Sequence, residues 1–343
     1  MTVQILQGDC IETLKTLEAG TVQTCVTSPP YFGLRDYGNA AQIGLEETPE
    51  AYVAKLVAVF AEVKRVLKDD GTLWLNLGDS YWGGKGSNAN LDTGLDTRRA
   101  EGRTLQRANT RIEGMKVIPT NGKHETIKAK DLIGIPWMVA FALRADGWYL
   151  RSDIIWHKPN PMPESVKDRP TKAHEYIFLL SKSAKYYYDA DAVLEPCADS
   201  TPARMLRGVG DSHKNVNGAP GQTPHSMSQP RENVRKQDAV GKNTYTGFND
   251  RYEPRTTRNK RDVWTVTTKP YKGAHFATFP PDLIEPCILA GSAVGDIVLD
   301  PFNGSGTTGA VSVKHGRNYI GCELNPNYIQ LTHERLAKVQ PLL

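Results

Sequence analysis

The segment Asp300-Pro301-Phe302-Asn303-Gly304-Ser305-Gly306-Thr307-Thr308-Gly309 constrains this chain more than any other. It joins Asp296–Leu299, which reads as a strand, to Thr307–His315, which reads as a helix. Glycine adopts backbone angles that other residues avoid and lets N–H groups close on a ligand, while the helix N-terminus beyond it favours a negative group. A strand, a glycine loop and a helix in this order form a building block of α/β folds, and the alternation runs on through the chain. Val3–Gln7, Val22–Thr27, Thr72–Leu77, Ser152–Trp156, His174–Ser181 and Asn318–Cys322 read as strands, with Tyr186–Tyr188 a further candidate. Ile11–Leu17, Pro49–Lys68, Ile135–Ala145, Asp282–Ala290 and Pro326–Val339 read as helices. In the second of these, Tyr52, Leu56, Phe60, Val63 and Leu67 recur at helical spacing, and the pattern stops at Asp70-Gly71. Short connections between alternating elements argue for an α/β fold with a doubly wound, mostly parallel sheet.

Two stretches break the alternation. Gly83–Gly122 and Asp199–Asn259 are rich in Gly, Asn, Thr, Ser, Arg and Pro and read as long loops or insertions. They also carry the basic charge. The chain of 343 residues has a formal charge of only +4, yet Tyr81–Lys130 holds ten Lys/Arg against five Asp/Glu, and Ala198–Asp262 holds twelve against seven. The remainder is net acidic. A polyanion partner and two solvated charged loops both fit that asymmetry. The densest basic cluster is Arg251, Arg255, Arg258, Lys260 and Arg261, with Tyr252 and Trp264 nearby. No apolar run approaches the roughly 20 residues of a membrane span. The start MTVQILQGDC lacks the basic and apolar regions of a secretory signal, and the five cysteines are scattered without a C-x-x-C pair. The expectation is a cytoplasmic protein with no membrane partner, no disulfide framework and no metal site.

Read as G-x-G-x-x-G, with Glu323 ending the next strand, the glycine loop also fits a dinucleotide fingerprint, so an NAD-dependent oxidoreductase stays open. Asp300 at the strand's carboxyl end favours a different nucleoside. A carboxylate there repels a pyrophosphate and suits an ammonium, and S-adenosylmethionine has an ammonium and no phosphate. A second motif, Thr27-Ser28-Pro29-Pro30-Tyr31, follows another strand and therefore lies at the same sheet edge. Two prolines stiffen the backbone and remove competing N–H donors. The Ser28 hydroxyl and the carbonyls can then hold an amino group against a methyl donor, with Tyr31 able to stack on a base.

These two motifs resemble the paired signatures of the DNA amino-methyltransferases, [D/N/S]-P-P-[Y/F/W] and D-P-F-x-G-S-G-T-T, matched here by Ser28–Tyr31 and Asp300–Thr308. With the Pro-Pro motif first and the glycine motif last, the order resembles that family's β-class. Gln7-Gly8-Asp9, Asn76–Tyr81, Lys130–Trp137, Arg151–Tyr188 and His275–Pro280 resemble further family blocks; the last lacks the lysine often found before its proline. The resemblance implies a Rossmann-like, SAM-dependent methyltransferase sheet with an inserted target-recognition region. Residues 1–189 would form a catalytic half with a basic insertion at 82–129, residues 190–261 the target-recognition region, and residues 262–343 the SAM-binding half. It further implies that Ser28, Pro29, Pro30 and Tyr31 are catalytic. Asp9, His275, Asp300, Phe302, Gly304, Gly306, Thr307 and Glu323 would bind S-adenosylmethionine. The implied partner is double-stranded DNA, read through the basic cluster, with a cognate restriction endonuclease acting on the same site.

Ser at the first motif position goes in that family mostly with cytosine N4, and adenine N6 is the second reading. A non-catalytic DNA-binding module is the alternative from a different class. Cytosine C5 chemistry needs a Pro-Cys nucleophile. Pro196-Cys197 and Pro286-Cys287 stand outside any strand-and-glycine context, and the Glu232-Asn233-Val234 imitation of that group's block lies in a polar basic stretch. Asp36 is a weaker candidate proton acceptor, read chiefly as a surface carboxylate.

Overall fold

In a computed structural model the chain is described over residues 1–34, 39, 41–83, 124–198, 256–268 and 279–341. In chain order the elements are β1 (Val3–Gln7), α1 (Cys10–Lys15), β2 (Val22–Thr27), α2 (Pro49–Val66), β3 (Leu67–Leu77), α3 (Ile135–Ala145), β4 (Tyr149–His157), β5 (His174–Ser181), β6 (Glu195–Pro196), β7 (Thr257–Arg258), β8 (Val263–Thr265), α4 (Pro281–Gly291), β9 (Ile297–Asp300), α5 (Thr307–Lys314), β10 (Asn318–Glu323) and α6 (Pro326–Leu336). The chain divides into two compact units, one of residues 1–192 with 261–343 and one of residues 193–260. In the described part of the smaller unit, β6 pairs antiparallel with β7, and Arg258 Nε donates to Glu195 at 2.9 Å across that pair.

The larger unit carries an eight-stranded sheet in the order β1-β10-β9-β2-β3-β5-β4-β8. Every pairing is parallel except those of β5 with β3 and β4. The carboxyl ends of the other strands therefore share one edge, to which β5 contributes its start. Central β2 is buried along its whole length, as expected where helices cover both faces of a parallel sheet. Tyr52, Leu56, Phe60 and Val63 of α2 are fully buried. Thr48 caps that helix by accepting from Ala51 N, and Pro49 opens it.

Three differences from the sequence reading have physical causes. The helix expected to run to Lys68 stops at Val66, and β3 starts at once: Leu67 pairs with Val22, and the register shifts before Thr72 meets Thr24. Asp70-Gly71 is thus an irregularity within a strand instead of a turn. A Cβ at Gly71 would meet Lys68 O at 2.9 Å, so glycine lets the backbone fold closely there. Tyr186–Tyr188 forms no ladder; Tyr187 N and Asp189 N donate singly to Asp70 O and Ala290 O. Three-residue β8 escaped notice because it is too short to show a period.

Candidate active site

A cleft of about 610 Å³ opens at the sheet's carboxyl edge, within the size range of small-molecule sites. Its walls include Asp9, Ser28, Pro29, Pro30, Tyr31, Asp300, Phe302, Gly304, Thr307 and Glu323, so both sequence motifs face one space. Gly306 shapes the loop from behind: its φ is +75°, and a Cβ there would meet Thr332 Cγ2 at 2.6 Å. His275, Arg251, Arg255 and Asp36 lie outside the described residues.

The glycine-loop end is built from backbone donors and short side chains. Asp300 is 2% exposed; its Oδ1 accepts from Thr27 Oγ1 at 2.6 Å and Phe302 N at 3.0 Å, and its Oδ2 from Thr308 Oγ1 at 2.7 Å. Burial still pushes its carboxyl up to about 6, against the pull of those donors. Glu323 Oε2 accepts from Gly304 N at 2.7 Å and Oε1 from Asn325 N at 2.8 Å, while burial raises this carboxyl to about 7. Each Glu323 oxygen keeps a lone pair for a ligand hydroxyl. Asp9 Oδ1 caps α1, accepting from Ile11 N at 2.9 Å. The Ser305 hydroxyl is buried without a hydrogen-bond partner among the described residues, in a loop that lines the cleft.

Among the described residues, the charged ones lining the cleft are Asp9, Lys158, Glu175, Asp300 and Glu323, and the lysine is paired with Glu175. Three carboxyls therefore surround the glycine loop. That donor set suits a cationic nucleoside and opposes a pyrophosphate, which argues against NAD and fits the ammonium, sulfonium and ribose of S-adenosylmethionine.

The Ser-Pro-Pro-Tyr end is held by side chains from distant elements. Tyr52 of α2 donates to Pro30 O at 2.8 Å, whereas the Pro29 carbonyl has no donor among the described residues and stays available. Tyr31 Oη lies 2.8 Å from Glu175 Oε2 and 3.1 Å from Asn76 Oδ1, and Ser28 Oγ is a looser 3.4 Å away. Asn76 Nδ2 donates to Tyr176 O at 3.0 Å, which fixes its amide orientation, and Lys158 pairs with Glu175 Oε1. Burial, then the Glu175 carboxylate, raise the Tyr31 phenol well above its ordinary value, so it stays protonated. A Cβ on Gly78 would meet Tyr31 Cε2 at 2.5 Å; only glycine leaves the ring its place.

Asn76, Glu175, Lys158, Trp156 and Gly78 are the residues that motif reading left without a role. All sit inside family-like blocks, but no spacing tied them to Tyr31. The cysteines in the cleft are not nucleophiles: burial pushes the Cys10 thiol up to about 12 and the Cys322 thiol to about 11. Cys287, of the Pro286-Cys287 pair, is buried within α4.

A mostly parallel sheet whose carboxyl edge carries a glycine loop, an acidic cleft and an adjoining Ser-Pro-Pro-Tyr turn is the architecture of a SAM-dependent methyltransferase. The DNA methylase family of N6/N4 methyltransferases matches residues 22–334, and the chain belongs to it. It is similar to the Type II methyltransferase M.Cfr9I of Citrobacter freundii, 45% identical over 332 residues that cover 97% of this chain and 87% of the relative. It is 42% identical over 335 residues to the Type II methyltransferase M.SmaI of Serratia marcescens, covering 98% and 91%. Among solved structures, PvuII DNA methyltransferase (cytosine-N4-specific) superposes with a TM-score of 0.57 at 17% identity, over 98% of this chain and 86% of that one. TTHA0409 of Thermus thermophilus, complexed with S-adenosyl-L-methionine, gives 0.53 at 21% identity, over 100% and 98%. These two likenesses show the fold. The chain is a DNA methyltransferase.

Proposed function

We propose that the enzyme transfers the methyl group of S-adenosylmethionine to the N4 amine of cytosine at a specific site in duplex DNA, by flipping the base and transferring directly. The observation that carries this reading is the single cleft into which both the Ser28–Tyr31 turn and the Asp300–Thr307 loop open. When bound, the cofactor supplies an electrophilic methyl on a sulfonium. Glu323 accepts from the ribose hydroxyls, Asp300 places negative charge beside the ammonium, and Phe302 and Asp9 border the adenine. Ser305 offers the polar group that the protein itself leaves unmet.

The target amine is a poor nucleophile because its lone pair is delocalised into the ring. The Pro29 carbonyl and Ser28 Oγ accept its hydrogens and orient the nitrogen, an interaction that strengthens as positive charge develops there. Tyr31, fixed by Glu175, Asn76 and Gly78, receives the flipped base. No protein nucleophile is required, and the methylated nitrogen loses its extra proton to water. Residues 190–261 read the DNA: Arg251, Arg255, Arg258, Lys260 and Arg261 contact phosphates or base edges, so binding weakens steeply with salt. The Type II relatives favour a partner endonuclease acting on the same sequence.

Ser28 and the cytosine-N4 specificity of the structurally similar PvuII enzyme favour cytosine N4, and adenine N6 is the second reading. Incubation of mixed-sequence duplex DNA with labelled S-adenosylmethionine, followed by nucleoside mass spectrometry, decides. N4-methylcytosine supports the proposal, N6-methyladenine selects the second reading, and no modified base defeats both.

A further inference from the structure

Base flipping leaves a gap in the duplex, and something must fill it while the target occupies the cleft. Apolar wedges are the side chains proteins insert into base stacks, methionine and proline among them. Such a wedge has to be exposed, stand near the cleft and be carried on a stiff segment of backbone, since a floppy segment loses on ordering what it gains on stacking.

Met162 is exposed and is carried on a stiff strap rooted at the cleft wall. At 86% it is the most exposed large apolar side chain described. Val3, Tyr149 and Val263 are exposed too, but they lie at the starts of β1, β4 and β8, on the edge away from the cleft. Leu34 is 38% exposed but belongs to the lining of the cleft itself. Met162 sits between Pro161 and Pro163 in the strap Pro159-Asn160-Pro161-Met162-Pro163, which leaves the end of β4. Alternating prolines fix φ and hold the intervening residues extended, so the strap is a stiff spacer.

The strap is also anchored at the cleft wall. Asn160 Nδ2 donates to Thr268 O at 3.2 Å, Thr268 N donates back to Asn160 Oδ1 at 3.0 Å, and Thr268 lines the cleft. Lys158, at the strap's root, pairs with the Glu175 that holds Tyr31. Two residues of extended chain reach at most about 7 Å, so the Met162 backbone stays within that span of the Asn160 anchor. Beyond the strap, Arg169 pairs with Glu164 and lies over the Tyr81 ring at 3.9 Å, closing the loop. Between Lys158 and Ala173 four Lys/Arg face two carboxylates, a balance suited to flanking phosphates.

We propose that Met162 is the side chain that enters the base stack and occupies the place of the flipped base. An alkyl chain is about 4 Å thick, close to the roughly 3.4 Å spacing of stacked bases, so one methionine fits one step. Its unbranched thioether adapts to either neighbour base. The proposal rests on the flipping reading above.

The test uses a short synthetic duplex carrying the site that sequencing of enzyme-methylated plasmid maps, and a second duplex whose target base faces an abasic position. Met162→Ala is expected to lower turnover on the paired duplex roughly tenfold, with near wild-type turnover on the abasic duplex, where less unstacking is required. Met162→Leu keeps most activity on both. S-adenosylmethionine affinity, measured by calorimetry, is expected to be unchanged in each variant. Equal losses on the two duplexes, or no loss on either, overturn the wedge. With 2-aminopurine replacing the target base, wild-type enzyme should brighten the duplex on binding and Met162→Ala should not. A wild-type enzyme that methylates the unmodified duplex, yet binds the 2-aminopurine duplex without brightening it, overturns flipping itself.

Discussion

The two ends of the cleft are built in opposite ways. At the cofactor end the polar groups are backbone amides and short hydroxyls, most of them from one strand–loop–helix unit and its neighbour: Gly304 N and Asn325 N on Glu323, Phe302 N and Thr308 Oγ1 on Asp300, joined by Thr27 Oγ1 from the end of β2. At the amine end a chain of longer side chains runs from Ser28 through Tyr31 to Asn76, Glu175 and Lys158, drawn from β2, β3, β4, β5 and the segments that follow them. The first construction fixes a ligand that is always the same. The second positions a ring that must accept a base arriving from a duplex. Binding and turnover should therefore be separable by mutation.

Ser28→Ala puts the separation to its hardest test. Loss of an acceptor on the developing charge should lower kcat about a hundredfold, the usual size for one such group. Cofactor affinity should stay within about twofold, because no wall of the glycine loop changes. Equal loss in both would merge the two ends into one.

Glu323→Gln tests the other side, with an expected loss of roughly ten- to thirtyfold in cofactor affinity by calorimetry, the scale of a hydrogen bond to a charged group. The pH dependence sharpens it. With its carboxyl raised to about 7, wild-type Glu323 takes up a proton as pH falls below neutrality and exchanges an acceptor for a donor. Affinity should drop below pH 7 in the wild type, and that pH dependence should be flattened in the variant. For folding the sign is reversed. A carboxyl raised above its unfolded value favours the native state less as pH climbs from the ordinary range to about 7, so ligand-free wild type should lose stability over that interval relative to the variant.

Gly78→Ala should act on turnover alone. The added methyl displaces the Tyr31 ring, and kcat should fall about tenfold while cofactor affinity holds. A variant with normal kcat would mean that the ring's position does not matter. The smallest effect is expected for Thr308→Val, which takes one donor from the buried Asp300 carboxylate. It should lower stability by about 1–3 kcal/mol, seen as a drop in Tm, with kcat at saturating cofactor little changed.

The legibility of each end follows from the same contrast. Gly304 and Glu323 were recognisable from sequence because they are separated by only 19 positions, and Asp300 because two of its three donors, Phe302 N and Thr308 Oγ1, follow it within the motif; its third, Thr27 Oγ1, is 273 positions away. Glu175 carried a family-like block but no visible task, since its contact with Tyr31 spans 144 positions and exists only because β3, β4 and β5 pair in one register. Asp70-Gly71 misled for a similar reason: a dipeptide with turn chemistry became a strand irregularity once β2 lay beside it.

The sequence by itself determined the alternating fold, the glycine loop and the Pro-Pro turn, because each is dictated by backbone conformations that neighbouring residues impose. Only the tertiary structure decided that the two motifs share one cleft, that Gly78 makes room for Tyr31, and that Lys158 and Glu175 hold it. Those facts depend on which strands lie adjacent and in what register, and that is settled by burial of the whole sheet, not by any local run of residues.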